Sequence, residues 1–432
     1  MDIVFSFSIF IGAMIVCLKT GHSTIYALII GLILFIITGM RRGFSISETL
    51  DMGFSGVKSA RIVILVMLII GMITGIWRSS GTIAFFVYYG IKAITPSLFL
   101  LVAFLLSSIL SYALGTSFGV AATVGVIFMT LARTGHVNPV ITAGVIMSGV
   151  YFGDRNSPVS SSAILVAGIT GTDIIENVKK LLKIGVVPFL LTTIIYLYLS
   201  IKNPIYSVDE NFQNMIKSQY NLSVLAGVPA FIMLILPIFK VKVRRAMEVS
   251  IVSAILVSYF LQKQSIFKIV QSLFLGYSSN GPLASLMNGG GIKSMLEVVV
   301  IVMISSMYSG IFEGTGMLNG IQDSVRKISD KCGRFTSVIL TSIITISIFC
   351  NQTIAIMMVN DINRKCYGTE KRENFKKAMD MENSVVVLAG LIPWSIASTV
   401  PLKFMGGDYR SLVYASFLYL IPIWYWIRNY KY

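Results

Sequence analysis

Long apolar runs separated by short polar clusters fill nearly the whole chain, and many of the runs have about the length that carries a helix across a bilayer. Clusters of Gly, Pro and Ser interrupt some of them, which marks broken helices and re-entrant turns rather than simple crossings. On this pattern the first half has crossings at 3–18, 24–40, 62–77 and 183–200, a broken span at 139–169, and a re-entrant hairpin at 97–132 that turns at 115–119. The second half repeats the plan, with crossings at 222–239, 247–261, 298–312 and 411–427, a broken span at 381–403, and a hairpin at 335–362 that turns near 350–353. The expected fold is an all-α polytopic membrane protein. Each half contributes five crossings and one hairpin.

The two halves are copies of one pattern at an offset of 235 positions. Between Met52 and Gly81, ten of thirty residues are identical at that offset, where composition alone gives roughly two or three. The register persists downstream, because Pro158 falls on Pro393, Ser160 on Ser395, Gly171 on Gly406 and Asp173 on Asp408. Five crossings is an odd number, so the second copy has to enter the membrane from the opposite side. The expected organisation is therefore two inverted repeats, 1–205 and 222–432, joined by an extracytoplasmic linker at 206–221. Transporters built this way bind their cargo near the midplane, where the repeats meet.

Charge sets the orientation. With the N-terminus inside, 23 of the 35 Lys and Arg residues fall in cytoplasmic segments, which satisfies the positive-inside rule and places both termini in the cytoplasm. The net charge of +16 thus belongs to membrane orientation and not to a nucleic-acid surface. The segment 318–331 is too polar to span and reads as an amphipathic helix on the inner surface. Its counterpart, 82–94, is apolar enough to cross. A content of 55% apolar and 12% charged residues, with a mean hydropathy of +0.80, agrees with a multi-pass protein of the cell membrane. The first run lacks a basic leader and a cleavage signal, so it is read as a retained span.

Four cysteines without metal or redox spacing and only two histidines argue against zinc, redox or cofactor chemistry. The segment Gly115 to Gly119 fits a G-x-S-x-G nucleophile pattern but lies among apolar helical runs, without the strand-to-helix turn that this chemistry needs. The chemistry concentrates instead in GVYFGDRNSPVSSSA, Gly149 to Ala163. Asp154, Arg155, Asn156, Ser157, Ser160 and Ser161 are costly in hydrocarbon and must face protein or water. A break at Gly153 and Pro158 frees carbonyls at one half-helix end and N–H groups at the other, where a cation and an anionic group can bind. The bland alternative is a structural Asp154–Arg155 pair at a kink.

The second broken span holds Glu382, Ser395 and Lys403. Glu382 is placed to pair with Asp154, to titrate, or to cap a helix start. Lys403 is placed either to snorkel to the outer surface or to meet substrate. Under the offset Asp154 falls on Ala389, so the charged centre is asymmetric although the breaks match. The hairpin turns carry Thr116 and Ser117 in one copy and Asn351, Gln352 and Thr353 in the other. They offer oxygens suited to a hard cation such as sodium, or else local helix caps. Arg78 and Glu313 also correspond at the offset and suit the surface.

These residues resemble the NhaC family of sodium/proton antiporters. Phe152, Gly153, Asp154, Ser157, Pro158 and Ser160 match its F-G-D-K-x-S-P-L-S-D-T-T element, with Arg155 in place of lysine. Glu382, Ser384, Val387, Leu391, Ile392, Pro393 and Trp394 match a second element, and Gly115 to Gly119 echoes a third, with Phe118 for tryptophan. Ser161 and Asn383 stand where it has acidic residues, Ser162 and Ala163 where it has threonines and Ser395 where it has an asparagine, and the loss of these ligands lowers the charge available at a cation site. The resemblance implies a divergent antiporter and a homodimer with moving hairpin and broken-span elements. The expected activity is cation/proton antiport, with sodium or a proton held by Asp154. The alternatives, in order, are a sodium- or proton-coupled carrier of amino acids or small carboxylates, a channel, and a membrane enzyme.

Overall fold

The computed structural model describes residues 2–93, 95–205, 210–239, 241–280, 283–317 and 321–429. These are helical almost throughout, and the only isolated bridge among them joins Tyr277 and Gly289. The first half runs through α1 (Asp2–Thr20), α2 (Ile25–Arg41), α3 (Ile46–Ser59), α4 (Arg61–Ser79), α5 (Thr82–Ala93), α6 (Phe99–Leu114), α7 (Ser117–Thr134), α8 (Pro139–Asn156), α9 (Ser161–Thr170) and α10 (Ile174–Lys202). The second continues through α11 (Glu210–Gln219), α12 (Val228–Ile238), α13 (Val243–Leu256), α14 (Ile266–Phe274), α15 (Leu296–Thr315), α16 (Ile321–Cys332), α17 (Arg334–Phe349), α18 (Gln352–Ile362), α19 (Lys371–Glu382), α20 (Val385–Leu388), α21 (Ile396–Met405) and α22 (Ser416–Asn429).

Four helices among the described residues are long and apolar enough to cross a membrane: Pro96–Leu114, Ser117–Thr134, Ile174–Lys202 and Ile292–Thr315. Two bent pairs bring the number to as many as six. The expected first hairpin is thus two helices, each of crossing length, and α6 packs chiefly on α8. The second hairpin has the expected form, with α17 and α18 packed together on either side of Cys350. At 12 residues α5 rises only about 18 Å, too little to span, and Ile94 lies outside the described residues. The amphipathic segment is α16, with Val325 and Ser329 buried and Arg326, Lys327 and Lys331 exposed, while 318–320 lie outside the described residues. The linker contains α11, and 206–209 lie outside the described residues.

The backbone keeps the offset of 235. Left-handed residues recur at Gly81 and Gly316, Gly115 and Cys350, and Gly171 and Gly406. Side-chain caps recur at Thr116 and Asn351, Ser160 and Ser395, and Asp173 and Asp408. Contacts between the copies also exchange under it. Gly56 on α3 meets Gly310 on α15 so closely that a Cβ on either would collide with backbone. The exchanged pair, Gly291 and Gly75, is in contact too, the nitrogen of Gly291 lying 2.8 Å from where a Cβ of Gly75 would sit. Likewise α9 packs on α18, and its counterpart α21 packs on the π-helical turn of α7, Ala121–Gly125.

Candidate functional site

Two helix breaks and one hairpin tip converge on Asp154. Asn138 caps α8 by accepting the N–H of Val140 at 2.9 Å, and Pro139 occupies its first turn. The helix stops where Ser157 turns extended and Pro158 follows. Ser160 then restarts the chain as α9 by accepting the N–H of Ala163. A Cβ at Gly153 would collide with Ser111 on α6, and Ser111 Oγ donates to the carbonyl of Val150 at 2.5 Å. This close approach fixes the end of α8 against α6. At the tip of the first hairpin, a Cβ on Gly115 would lie 2.6 Å from the backbone of Val159, so this tip is seated on the break.

Asp154 is 3% exposed. Its Oδ1 accepts from Ser162 Oγ at 3.0 Å and lies 3.2 Å from Ser160 Oγ, which also lies 2.5 Å from the Asp154 carbonyl oxygen. Its Oδ2 accepts from Gln352 Nε2 at 3.0 Å, and the same nitrogen donates to the carbonyl of Val386 at 2.8 Å. A carboxylate of the first copy is thereby tied to the hairpin tip of the second. Three donors offset the water this carboxylate loses, and charge-assisted bonds are the strong ones.

Arg155 points elsewhere and is fully buried. Its NH1 donates to Asn156 Oδ1 at 2.7 Å and to the carbonyl of Leu181 at 3.3 Å, its NH2 donates to Asn383 Oδ1 at 2.6 Å, and Nε has no partner among the described residues. The structural Asp154–Arg155 pair is therefore absent, because neighbours on a helix diverge by about 100°. Glu382 is also fully buried, and neither carboxylate oxygen meets a hydrogen-bond partner among the described residues. It ends α19 instead of capping a helix start, because the helix begins far upstream at Lys371.

Several expected ligands serve the backbone. Thr116 accepts the N–H of Gly119, Asn351 those of Thr353 and Ile354, and Ser395 that of Ala397, so these three are helix caps. Ser157 Oγ accepts the N–H of Val159 in the break, and Asn156 Nδ2 donates to the carbonyl of Phe152. Ser117 is buried in the first turn of α7, and Thr353 is exposed. Ser161 is exposed as well, and its place beside the carboxylate is taken by Ser162, one position on, where the turn of α9 faces inward. Asn383, which holds Arg155, is marked by the sequence only as a departure from the family element, and Tyr151, whose hydroxyl donates to the carbonyl of Ala397 at 2.6 Å, is not marked at all. No group of three or more His, Cys, Asp or Glu side chains able to hold a metal occurs among the described residues.

A polytopic helical protein that buries a carboxylate at a helix break, and ties it to a hairpin from its other half, is a transporter of small charged solutes rather than an enzyme. Residues 149–427 match the Na+/H+ antiporter family, and the chain belongs to that family. It is 27% identical over 369 residues to the Na(+)/H(+) antiporter NhaC of Alkalihalophilus pseudofirmus, covering 83% of this chain and 79% of that protein. It is 24% identical over 380 residues to the malate-2H(+)/Na(+)-lactate antiporter of Bacillus subtilis, covering 85% and 81%. With the arginine/ornithine antiporter ArcD of Halobacterium salinarum it shares 26% identity over 386 residues, covering 85% and 79%.

Proposed function

We propose that the protein exchanges sodium for protons across the cell membrane, with Asp154 binding the two cargoes alternately. The observation that carries this reading is the Asp154 carboxylate, buried in a break and surrounded by two serine hydroxyls and the Gln352 amide. Serine and carboxylate oxygens are hard donors that suit sodium. Oδ2 keeps a second lone pair beside the one that holds Gln352, and a cation or a proton bound there draws electron density from the bond to the amide and weakens it. Loading the site therefore competes with Gln352 and loosens the α18 tip, which links cargo to conformation. Reconstituted into proteoliposomes, Asp154→Asn is expected to lose sodium-dependent proton flux to the level of empty vesicles while keeping its yield and oligomeric state. Wild-type flux in that variant would remove Asp154 from the mechanism.

A second reading, exchange of a carboxylate or amino acid, is favoured by one observation. Arg155 is buried, its hydrogen bonds go to neutral oxygens, and its Nε is unpaired among the described residues, as in an anion clamp, with the buried Glu382 carboxylate as an opposite charge acting on it. Two of the relatives are antiporters of such solutes by name.

The exchanged glycine pairs and the matched left-handed residues support two inverted repeats, since a two-fold relation makes contacts reciprocal. With basic segments inside, both termini are cytoplasmic, and the functional unit is a homodimer, as the family resemblance implies. Size-exclusion chromatography with light scattering on detergent-solubilised protein tests the dimer.

A further inference from the structure

Lys403, which the site around Asp154 does not use, donates its Nζ to Glu297 Oε2 at 2.8 Å. The pair joins α21, the arm of the second broken helix, to the start of α15, a helix that packs mainly on α2 and α3. Ser23, in the turn between α1 and α2, donates to the other oxygen of Glu297 at 2.9 Å, so three segments meet on one carboxylate. They meet on the wall of a cavity of about 870 Å³ whose lining reaches from Lys19 and Arg410 to Thr399 on α21 and to Pro393 in the helix break. At the C-terminal end of α21, Arg133 of α7 donates to the carbonyls of Met405 and Gly406.

The first copy carries no charged pair at the equivalent positions. Under the offset, Ile62 stands where Glu297 does and Gly168 where Lys403 does, and a side chain at Gly168 would meet nothing within 4 Å. On the opposite side, a second cavity of about 540 Å³ reaches the α18 tip at Asn351 and Thr353, between α3 and α15.

We propose that the Glu297–Lys403 pair is the lock of the outer entrance, closed in this structure, and that it must part for α21 to leave α15 and admit solute from the outer cavity onward to Asp154. The inference rests on the transporter reading and on the orientation argued above. Both partners are partly exposed, at 40% for Glu297 and 47% for Lys403, so ions entering the cavity compete directly for each. Because only one of the two copies carries the strap, the two faces open under different conditions.

Two measurements test the lock, both in a background with Cys17, Cys332 and Cys366 replaced by Ser and Cys350 by Gly, the residue of the first copy at that left-handed position. In the first, Thr399→Cys is labelled by an impermeant maleimide from the outer side. Labelling is expected to be several-fold faster when Glu297→Gln or Lys403→Gln is added, and equal rates would overturn the proposal. This arm needs no transport activity, so its outcome is separate from that of the antiport reading. In the second, Glu297→Cys with Lys403→Cys is bridged by a short bifunctional methanethiosulfonate. Transport is expected to fall at least tenfold and to return with reductant. Undiminished transport by fully bridged protein would refute the lock. If the double-cysteine protein folds poorly, the charge exchange Glu297→Lys with Lys403→Glu serves instead. It should restore the slow labelling that either single reversal loses, and labelling that stays fast would count against the pair.

Discussion

Asp154 and Arg155 are neighbours in the chain but lead to different partners, and the difference decides what each can do. The Asp154 oxygens are taken up by Ser160, Ser162 and Gln352. A cation has to compete with those donors, and Gln352 is the one that belongs to a separate, movable tip. Gln352→Ala is therefore expected to lower the apparent KM for sodium. A hydrogen bond to a charged group is worth about 1.5–3 kcal/mol, so the gain should be about tenfold or more. An unchanged or raised KM, measured by sodium-dependent proton flux, would make Gln352 a structural residue only. Arg155→Gln separates the two cargo readings. A cation exchanger should keep part of its flux, whereas a carboxylate carrier should lose roughly ten- to hundredfold in solute affinity with its clamp.

At the scale of elements, most of the ordering comes from helix breaks and close crossings. Thr116, Asn351, Ser160 and Ser395 all offered oxygens in the sequence, yet in the structure each caps a half-helix. Capping residues and ligands are the same residue types, which is why the pattern alone could not separate them. Ser161 and Ser162 differ only by one helical step, and the direction of α9 decides which of them reaches Asp154. The crossing of α3 and α15 depends on Gly56 and Gly310, where backbones meet with no room for a side chain. Gly310→Leu is expected to cost at least the 1–3 kcal/mol typical of overpacking, since the obstacle is backbone and cannot rotate away. Thermal inactivation in detergent should show a lower midpoint, and Gly56→Leu added to it should cost much less than its effect alone.

For the molecule as a whole, the positive-inside rule predicts a cytoplasmic basic segment 364–377, and single cysteines there should react with an impermeant reagent only after the inner face is exposed. Labelling in intact cells would invert the arrangement and move the proposed lock to the inner side. The sequence by itself determined the helical membrane class, the repeat and the loaded break around Asp154. Those features are written in apolar run length, in the offset of 235 and in the cost of placing polar groups in lipid. It did not determine which copy supplies each partner. Gln352 and Asn383 lie about two hundred positions from Asp154 and Arg155, and Glu297 more than a hundred from Lys403. Only tertiary packing, between the halves for Gln352 and Asn383 and within the second half for Glu297, decided those contacts, because side-chain direction and helix crossing are fixed by neighbours that no local pattern encodes.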